Sequence, residues 1–203
     1  MHKIFPTLKH VNLPNLITAF SIGTGLCAYL LFLQKNYRLA VVLYALTLLF
    51  DRLDGLVARR FKAETEFGRE LDSLADAVNF VVFPALMAYS LGFNSFWAVC
   101  ALYLYGLSGV WRLANYNLEG LVEVGGKNCF TGICTTHAGA LVLLAMILHL
   151  AFFRGEPLYF MYPLFILLAL LMNSSFKYDK NGWFTISLYV IMPAAVIMGL
   201  IKL

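Results

Sequence analysis

What this sequence has least of is charge. Only 13% of its 203 residues are Asp, Glu, Lys or Arg, against 61% hydrophobic, whereas a water-soluble domain usually carries about 25% charged residues. That shortage excludes an ordinary soluble globule and makes lipid the expected solvent. Cysteine is scarce too. Cys27 and Cys100 lie in separate apolar stretches, and Cys129 and Cys134 do not form a paired C-x-x-C pattern, so neither a disulfide framework nor a thiolate metal site is expected. Low-complexity tracts are lacking, as is an internal repeat of the kind that marks many transporters. The excess of four positive charges is spread over short links between apolar runs, so no nucleic-acid partner is expected.

What is present is a series of seven apolar segments, near 13–33, 39–58, 71–91, 96–113, 131–153, 158–172 and 184–203. Most approach the 17 to 25 residues that a membrane-spanning helix needs, and the sixth is short. The expectation is an all-α integral membrane protein, a bundle of six to seven transmembrane helices forming one membrane-embedded domain over residues 1–203. The first segment is expected to be a retained helix rather than a cleaved signal peptide, because further spans follow it at once. The first ten residues suit either a short interfacial helix or a disordered tail. Orientation follows from the basic residues. Lys3, Lys9, Arg59, Arg60, Lys62, Arg69, Arg112, Lys127, Lys177 and Lys180 fall on one side, and Lys35, Arg38, Arg154 and Lys202 on the other. That bias puts the amino terminus in the cytoplasm of a multi-pass cell-membrane protein. The two longest links, 60–70 and 115–130, lie on the cytoplasmic side, where function should concentrate.

Four aspartates sit at the ends of apolar segments: Asp51 and Asp54 late in the second, Asp72 and Asp76 early in the third. A carboxylate placed there costs a few kcal/mol even on a lenient insertion scale, so it marks a function. Spacings of three and four put each pair on one helix face. Antiparallel helices joined by a cytoplasmic link bring both pairs to a similar depth. Four converging carboxylates cannot all stay ionised without cations, and two hard divalent ions with oxygen ligands would balance them.

The run from Asp51 to Asp76 reads D-x2-D-G-x2-A-R-x8-G-x3-D-x3-D. It resembles the signature of the CDP-alcohol phosphatidyltransferases at all eight specified positions, a match that chance would produce on the order of once in ten billion start sites. The resemblance implies transfer of a phosphatidyl group from CDP-diacylglycerol to an alcohol with release of CMP, in a two-metal site loaded with Mg2+ or Mn2+. It further implies that Asp51 and Asp72 bridge both metals, that Asp54 completes the first site, and that Asp76 serves the second and acts as general base. Gly55 and Ala58 would let the backbone approach the nucleotide, with Gly68 at the signature's third small position, and Arg59 would pair with phosphate. Thr65 in the following link, and Asn15 and Thr18 at the start of the first segment, match further positions of the nucleotide-lipid site. Pro14-Asn15 is equally an ordinary helix start. Relatives of this kind are usually homodimers, and membrane lipids surround them.

Within the family, Phe67 to Asp76 resembles the F-G-x-x-x-D-S-L-A-D of bacterial and archaeal phosphatidylserine synthases, and Arg112-Leu113-Ala114-Asn115-Tyr116-Asn117 resembles their R-L-A-R-F-N. Serine is therefore the implied acceptor. The chain departs from that pattern after Asp76, at Ala77 to Ala85, and after Gly132, where Cys134, Thr135, Thr136 and His137 replace prolines. Serine carries a carboxylate, so its pocket needs a cation. Arg112 and Lys127 are the available cations, and Arg112 is the candidate, although an arginine near a span end also suits an interfacial role. His137 suits a helix-to-helix contact or the acceptor pocket. The competing readings are the same chemistry with inositol phosphate, glycerol phosphate or choline, an archaeal ether-lipid donor, or a cation transporter that uses the aspartates as its ion site.

Overall fold

The computed structural model describes residues 6–179 and 182–203. Lys3 and Lys180, expected on the cytoplasmic side, and the first five residues lie outside them. After a short 3₁₀ turn at Pro6–His10 come helices α1 (Leu13–Leu33), α2 (Tyr37–Arg60) and α3 (Glu66–Asp76). A π turn at Ala77–Val82 leads into α4 (Phe83–Ser90), followed by α5 (Phe96–Glu119), strands β1 (Val122–Val124) and β2 (Lys127–Thr131), α6 (Thr135–Phe152), α7 (Met161–Met172), β3 (Lys177–Asp179) and α8 (Trp183–Lys202).

Helix starts carry the expected polar caps. Asn12 accepts from the Asn15 amide with Pro14 in the first turn, Thr65 accepts from the Gly68 amide and Ser95 from the Ala98 amide, each satisfying a donor that the helix leaves open. Gly120, at φ +70°, ends α5. Among the described residues, four helices are long and apolar enough to cross a membrane: 13–33, 66–90, 96–119 and 135–152. The second of these is α3, the π turn and α4 read as one rod. At 24 residues α2 is as long as α5, but it carries Arg38, Asp51, Arg52, Asp54, Arg59 and Arg60. Helix α7 has 12 residues.

The outward surface is apolar: Phe20, Trp97, Trp111 and Leu170 are each at least 65% exposed. A protein dissolved in water does not hold aromatic patches of that extent on its flanks, whereas lipid tails solvate them. This is a membrane protein built of helices. Its core includes Tyr44, Phe80, Tyr105, Leu143, Met146, Ile147 and Phe165, all fully buried, where α2, α5, α6 and α7 meet the π turn.

The fold is mostly helical, in keeping with the expected helical membrane protein, and one small sheet accompanies the helices. Three strands form an antiparallel sheet in the order β1-β2-β3, with Val122 opposite Cys129 and Phe130 opposite Tyr178. The link expected over 115–130 is therefore the last turns of α5 followed by a hairpin, and residue 131, taken as the start of the fifth apolar segment, ends a strand instead. Gly125 and Gly126, at φ +59° and +75°, make the two-residue turn that this hairpin requires. Gly132, at φ +65°, lies so close to the carbonyls of Leu171 and Met172 that a side chain there would strike backbone. The sheet is thereby pinned to the end of α7.

Candidate metal and nucleotide-lipid site

Helices α2 and α3 run antiparallel and bring Asp51, Asp72 and Asp76 together, with one carboxylate oxygen of each within 4.8 Å of the others. Their other partners are few. Asp76 Oδ2 accepts a 3.2 Å hydrogen bond from the Thr135 hydroxyl at the start of α6, and its Oδ1 is buried with no hydrogen-bond partner among the described residues. Three acidic oxygens so close together, one of them orphaned, fit a hard divalent cation and leave like charge uncompensated without one.

The fourth aspartate stands beside this trio in a different environment. Asp54 is 5% exposed; its Oδ2 accepts from the Thr18 hydroxyl at 2.6 Å and its Oδ1 from the Gly55 amide at 2.6 Å. Both bonds orient the carboxylate from outside, which is how neighbouring groups prepare a metal ligand. Thr18 projects from α1, so the first helix, and not the signature alone, builds the site.

Around Asp54 and Asp72 opens a cavity of about 920 Å³, whose lining includes Asn15, Thr18, Gly55, Ala58, Arg59, Thr65, Gly68, Arg69, Tyr116 and Asn117. All the residues matched to the nucleotide-lipid site thus share one space. The small ones have local reasons. A Cβ on Gly55 would crowd the Arg59 guanidinium at 3.3 Å, and one on Gly68 would sit 3.0 Å from both Asn15 Oδ1 and Thr65 Oγ1. The Asn15 side-chain amide donates to the His10 carbonyl at 2.7 Å, and the His10 ring stacks on Phe67 at 4.2 Å. The residues ahead of α1 are fastened to the start of α3.

A second cavity, of about 470 Å³, lies between α5, the sheet and the end of α7; Arg112, Tyr116, Thr131, Asn173 and Ser174 line it. Tyr116 and Gly120 border both cavities. Arg112 is 6% exposed, its guanidinium carbon lies 5.7 Å from the centre of the Tyr116 ring, and its Nε has no hydrogen-bond partner among the described residues. The hydroxyl of Thr131 is likewise buried without one. Arg112 is within electrostatic reach of Asp76, so the second cavity adjoins the acidic cluster. The interfacial reading of Arg112 does not suit a side chain so thoroughly buried.

His137 is also buried: its ring meets Tyr178 of β3 edge-on at 5.9 Å, and its Nδ1 contacts Cys134 Sγ. Several site residues were not singled out from sequence. Thr135 reaches Asp76 from a position where the related pattern has proline. Asn117 accepts from Ser73 at 2.8 Å and donates to Glu70 at 3.3 Å, joining α5 to α3. Tyr116 and Asn117 lie within the R-L-A-N-Y-N stretch, which was the available signal. Thr131 offered none.

An acidic cluster inside a helical membrane bundle, opening onto an arginine- and threonine-lined cavity, defines a class of lipid-handling proteins with hard-metal sites. The chain belongs to the CDP-alcohol phosphatidyltransferase family, whose model matches residues 11–200. It is 34% identical to a CDP-diacylglycerol–serine O-phosphatidyltransferase of Methanocaldococcus jannaschii over 177 residues, 87% of this chain and 78% of that protein. A Helicobacter pylori protein of the same name is 34% identical over 173 residues, covering 82% of this chain and 71% of its own length. One from Mycobacterium tuberculosis is 44% identical over 107 residues, 52% of this chain, and the match spans only 37% of that longer relative.

Proposed function

We propose that this protein transfers the phosphatidyl group of CDP-diacylglycerol to L-serine, forming phosphatidylserine and releasing CMP. The observation that carries this reading is the trio Asp51, Asp72 and Asp76, gathered within 4.8 Å between a cavity lined by the signature's small and basic residues and a second one holding buried Arg112. Asp51, Asp54, Asp72 and Asp76 would hold two divalent cations, Mg2+ or Mn2+, which when bound neutralise the diphosphate and the charge that develops on leaving CMP.

The remaining roles belong to the chain itself. Arg59 pairs with a phosphate of the donor, and the absence of side chains at Gly55 and Gly68, with only a methyl at Ala58, lets the cytidine end lie close to backbone. Asn15, Thr18 and Thr65 hold the cavity wall and the Asp54 carboxylate in place. On the acceptor side Arg112 takes the serine carboxylate in a charge-assisted contact. Asp76, with an oxygen not otherwise engaged, accepts the hydroxyl proton as the serine oxygen bonds to phosphorus and the bond from phosphorus to CMP breaks.

The reading extends to architecture. The whole chain, 1–203, acts as one domain with six to seven spans, its amino terminus and active site facing the cytoplasm of a cell membrane, and it assembles as a homodimer. The ten-to-four bias of basic residues supports the orientation. The test is to incubate purified protein in detergent with CDP-diacylglycerol, Mg2+ or Mn2+, and a panel of serine, inositol phosphate, glycerol phosphate and choline, scoring CMP. Release with serine above the others is expected. Preference for another alcohol overturns the acceptor assignment, and ion or serine flux in sealed vesicles without any CMP overturns the transferase reading.

A further inference from the structure

The rod that carries Asp72 and Asp76 changes its winding immediately after Asp76. Across Ala77–Val82 the turns are wide, and the Phe83 amide bonds to the Val78 carbonyl five residues back. One extra residue in a turn rotates everything beyond it by about 100° relative to an unbroken α-helix. The acidic face of α3 can therefore point at α2 while the apolar α4 packs a different face.

Wide turns are costly unless neighbours hold them, and here the neighbours are specific. The Tyr44 hydroxyl of α2 donates to the Asn79 carbonyl at 2.9 Å, and the Tyr105 hydroxyl of α5 donates to the Phe80 carbonyl at 2.7 Å. Both tyrosines are fully buried. Three helices also press glycines on this turn, at Asn79, Phe80 and Val81. Gly25 of α1 lies against Asn79, Gly109 of α5 leaves 2.5 Å between its would-be Cβ and Val81, and Gly139 of α6 leaves 2.9 Å to the Phe80 backbone.

The two tyrosines share a further relation. Tyr44 precedes Asp51 by seven residues on α2, and Tyr105 precedes Arg112 by seven on α5. Seven residues are two turns, about 10 Å along the same helix face. Each hydroxyl therefore ties the backbone just beyond Asp76 to the face of another helix that bears a site residue two turns nearer the cytoplasmic end.

We propose that Tyr44 and Tyr105 are positioning residues: Tyr44 sets the register of Asp51 against Asp76, and Tyr105 that of Arg112 against Asp76. The consequence is a division of labour. Tyr44 governs metal binding and Tyr105 governs the acceptor, although both bond to one turn. The acceptor half rests on the serine reading above, and the metal half does not.

The experiment compares Tyr44→Phe and Tyr105→Phe in the full-length protein in detergent. Mn2+ affinity is measured by electron paramagnetic resonance without substrates, and Michaelis constants for serine and CDP-diacylglycerol are measured with metal saturating. Tyr44→Phe is expected to weaken Mn2+ binding about threefold to tenfold, the scale of one lost hydrogen bond, with little change in the serine constant at saturating metal. Tyr105→Phe is expected to raise the serine constant by a similar factor and leave Mn2+ affinity alone. 4-Fluorophenylalanine at either position, which fills much of the hydroxyl's space but cannot donate, should reproduce the phenylalanine effect and carries the test if a phenylalanine variant does not fold; 3-fluorotyrosine, which keeps the ring and the donor, should behave as the native residue. Unchanged Mn2+ affinity in Tyr44→Phe, or equal losses of both properties in both variants, overturns the proposal. Native protein that binds Mn2+ but releases no CMP with serine overturns the serine reading, while the manganese comparison still decides the role of Tyr44.

Discussion

The two cavities that meet at Tyr116 are built in opposite ways. On the nucleotide-lipid side, α1, α2 and the start of α3 supply nearly every wall, and the polar groups are tied to one another: Thr18 to Asp54, Asn15 to His10, Thr65 to the Gly68 amide. On the proposed acceptor side, the walls come from α5, a strand and the end of α7, and Arg112 Nε and the Thr131 hydroxyl are buried with no hydrogen-bond partner among the described residues. A surface whose hydrogen bonds are already made holds its shape before its ligand arrives. One that keeps a buried cation and a hydroxyl unsatisfied gains most from the ligand that completes it. On the proposed reading, the difference suits a large nucleotide-lipid donor on the first side and a small acceptor on the second.

The comparison can be broken most severely at the junction of the two sides. Asp51→Asn and Asp72→Asn each remove charge from the metal cluster and should lower CMP release by roughly a hundredfold or more, since a bound metal contributes several kcal/mol to such a reaction. Mn2+ binding should fall in parallel. Wild-type turnover in either variant would remove the cluster from the chemistry.

A crossed pair of substitutions then separates the sides. Arg112→Ala should raise the Michaelis constant for serine by about tenfold to a hundredfold and leave that for CDP-diacylglycerol nearly unchanged, corresponding to about 1.5 to 3 kcal/mol for a hydrogen bond to a charged group. Arg59→Ala should do the reverse. General destabilisation lowers the amount of active enzyme without distinguishing the substrates, so equal effects would show that the sides are not independent.

The smallest expected effect sharpens the claim that the donor side is held in shape beforehand. Thr18→Val keeps the size of the side chain but removes the donor to Asp54. It should weaken Mg2+ activation by about tenfold, at the low end for groups that orient a metal ligand, with the serine constant unmoved. Titrating CMP release against Mg2+ measures it directly.

The contrast also explains how much could be read from the chain alone. Asp51, Asp54, Gly55, Ala58, Arg59, Gly68, Asp72 and Asp76 fall within 26 consecutive residues, because an antiparallel helix pair turns local spacing into a site. The acceptor side joins residues from 107 to 174, and spacing along the chain carries no information about such a meeting. Arg112 was legible because a buried serine carboxylate demands a cation. Thr131 was not, because its burial depends on a sheet. The hairpin itself had left a signal in Val122, Val124 and the Gly125-Gly126 pair, within the stretch read as a plain cytoplasmic link. The π turn had none: Ala77–Val82 is apolar but for Asn79, and only the tyrosines and glycines of other helices reveal why it unwinds there.

The hairpin tip has a practical consequence. A side chain added at Gly125 or Gly126 would meet nothing within 4 Å, and the tip stands beyond the last turn of α5, at the end of the bundle where the aspartates open. A short protease-cleavable epitope spliced between those glycines would therefore be an address label for one face of the membrane. In sealed right-side-out vesicles it should resist added protease, and in inverted vesicles it should be cut, reporting which compartment supplies the serine.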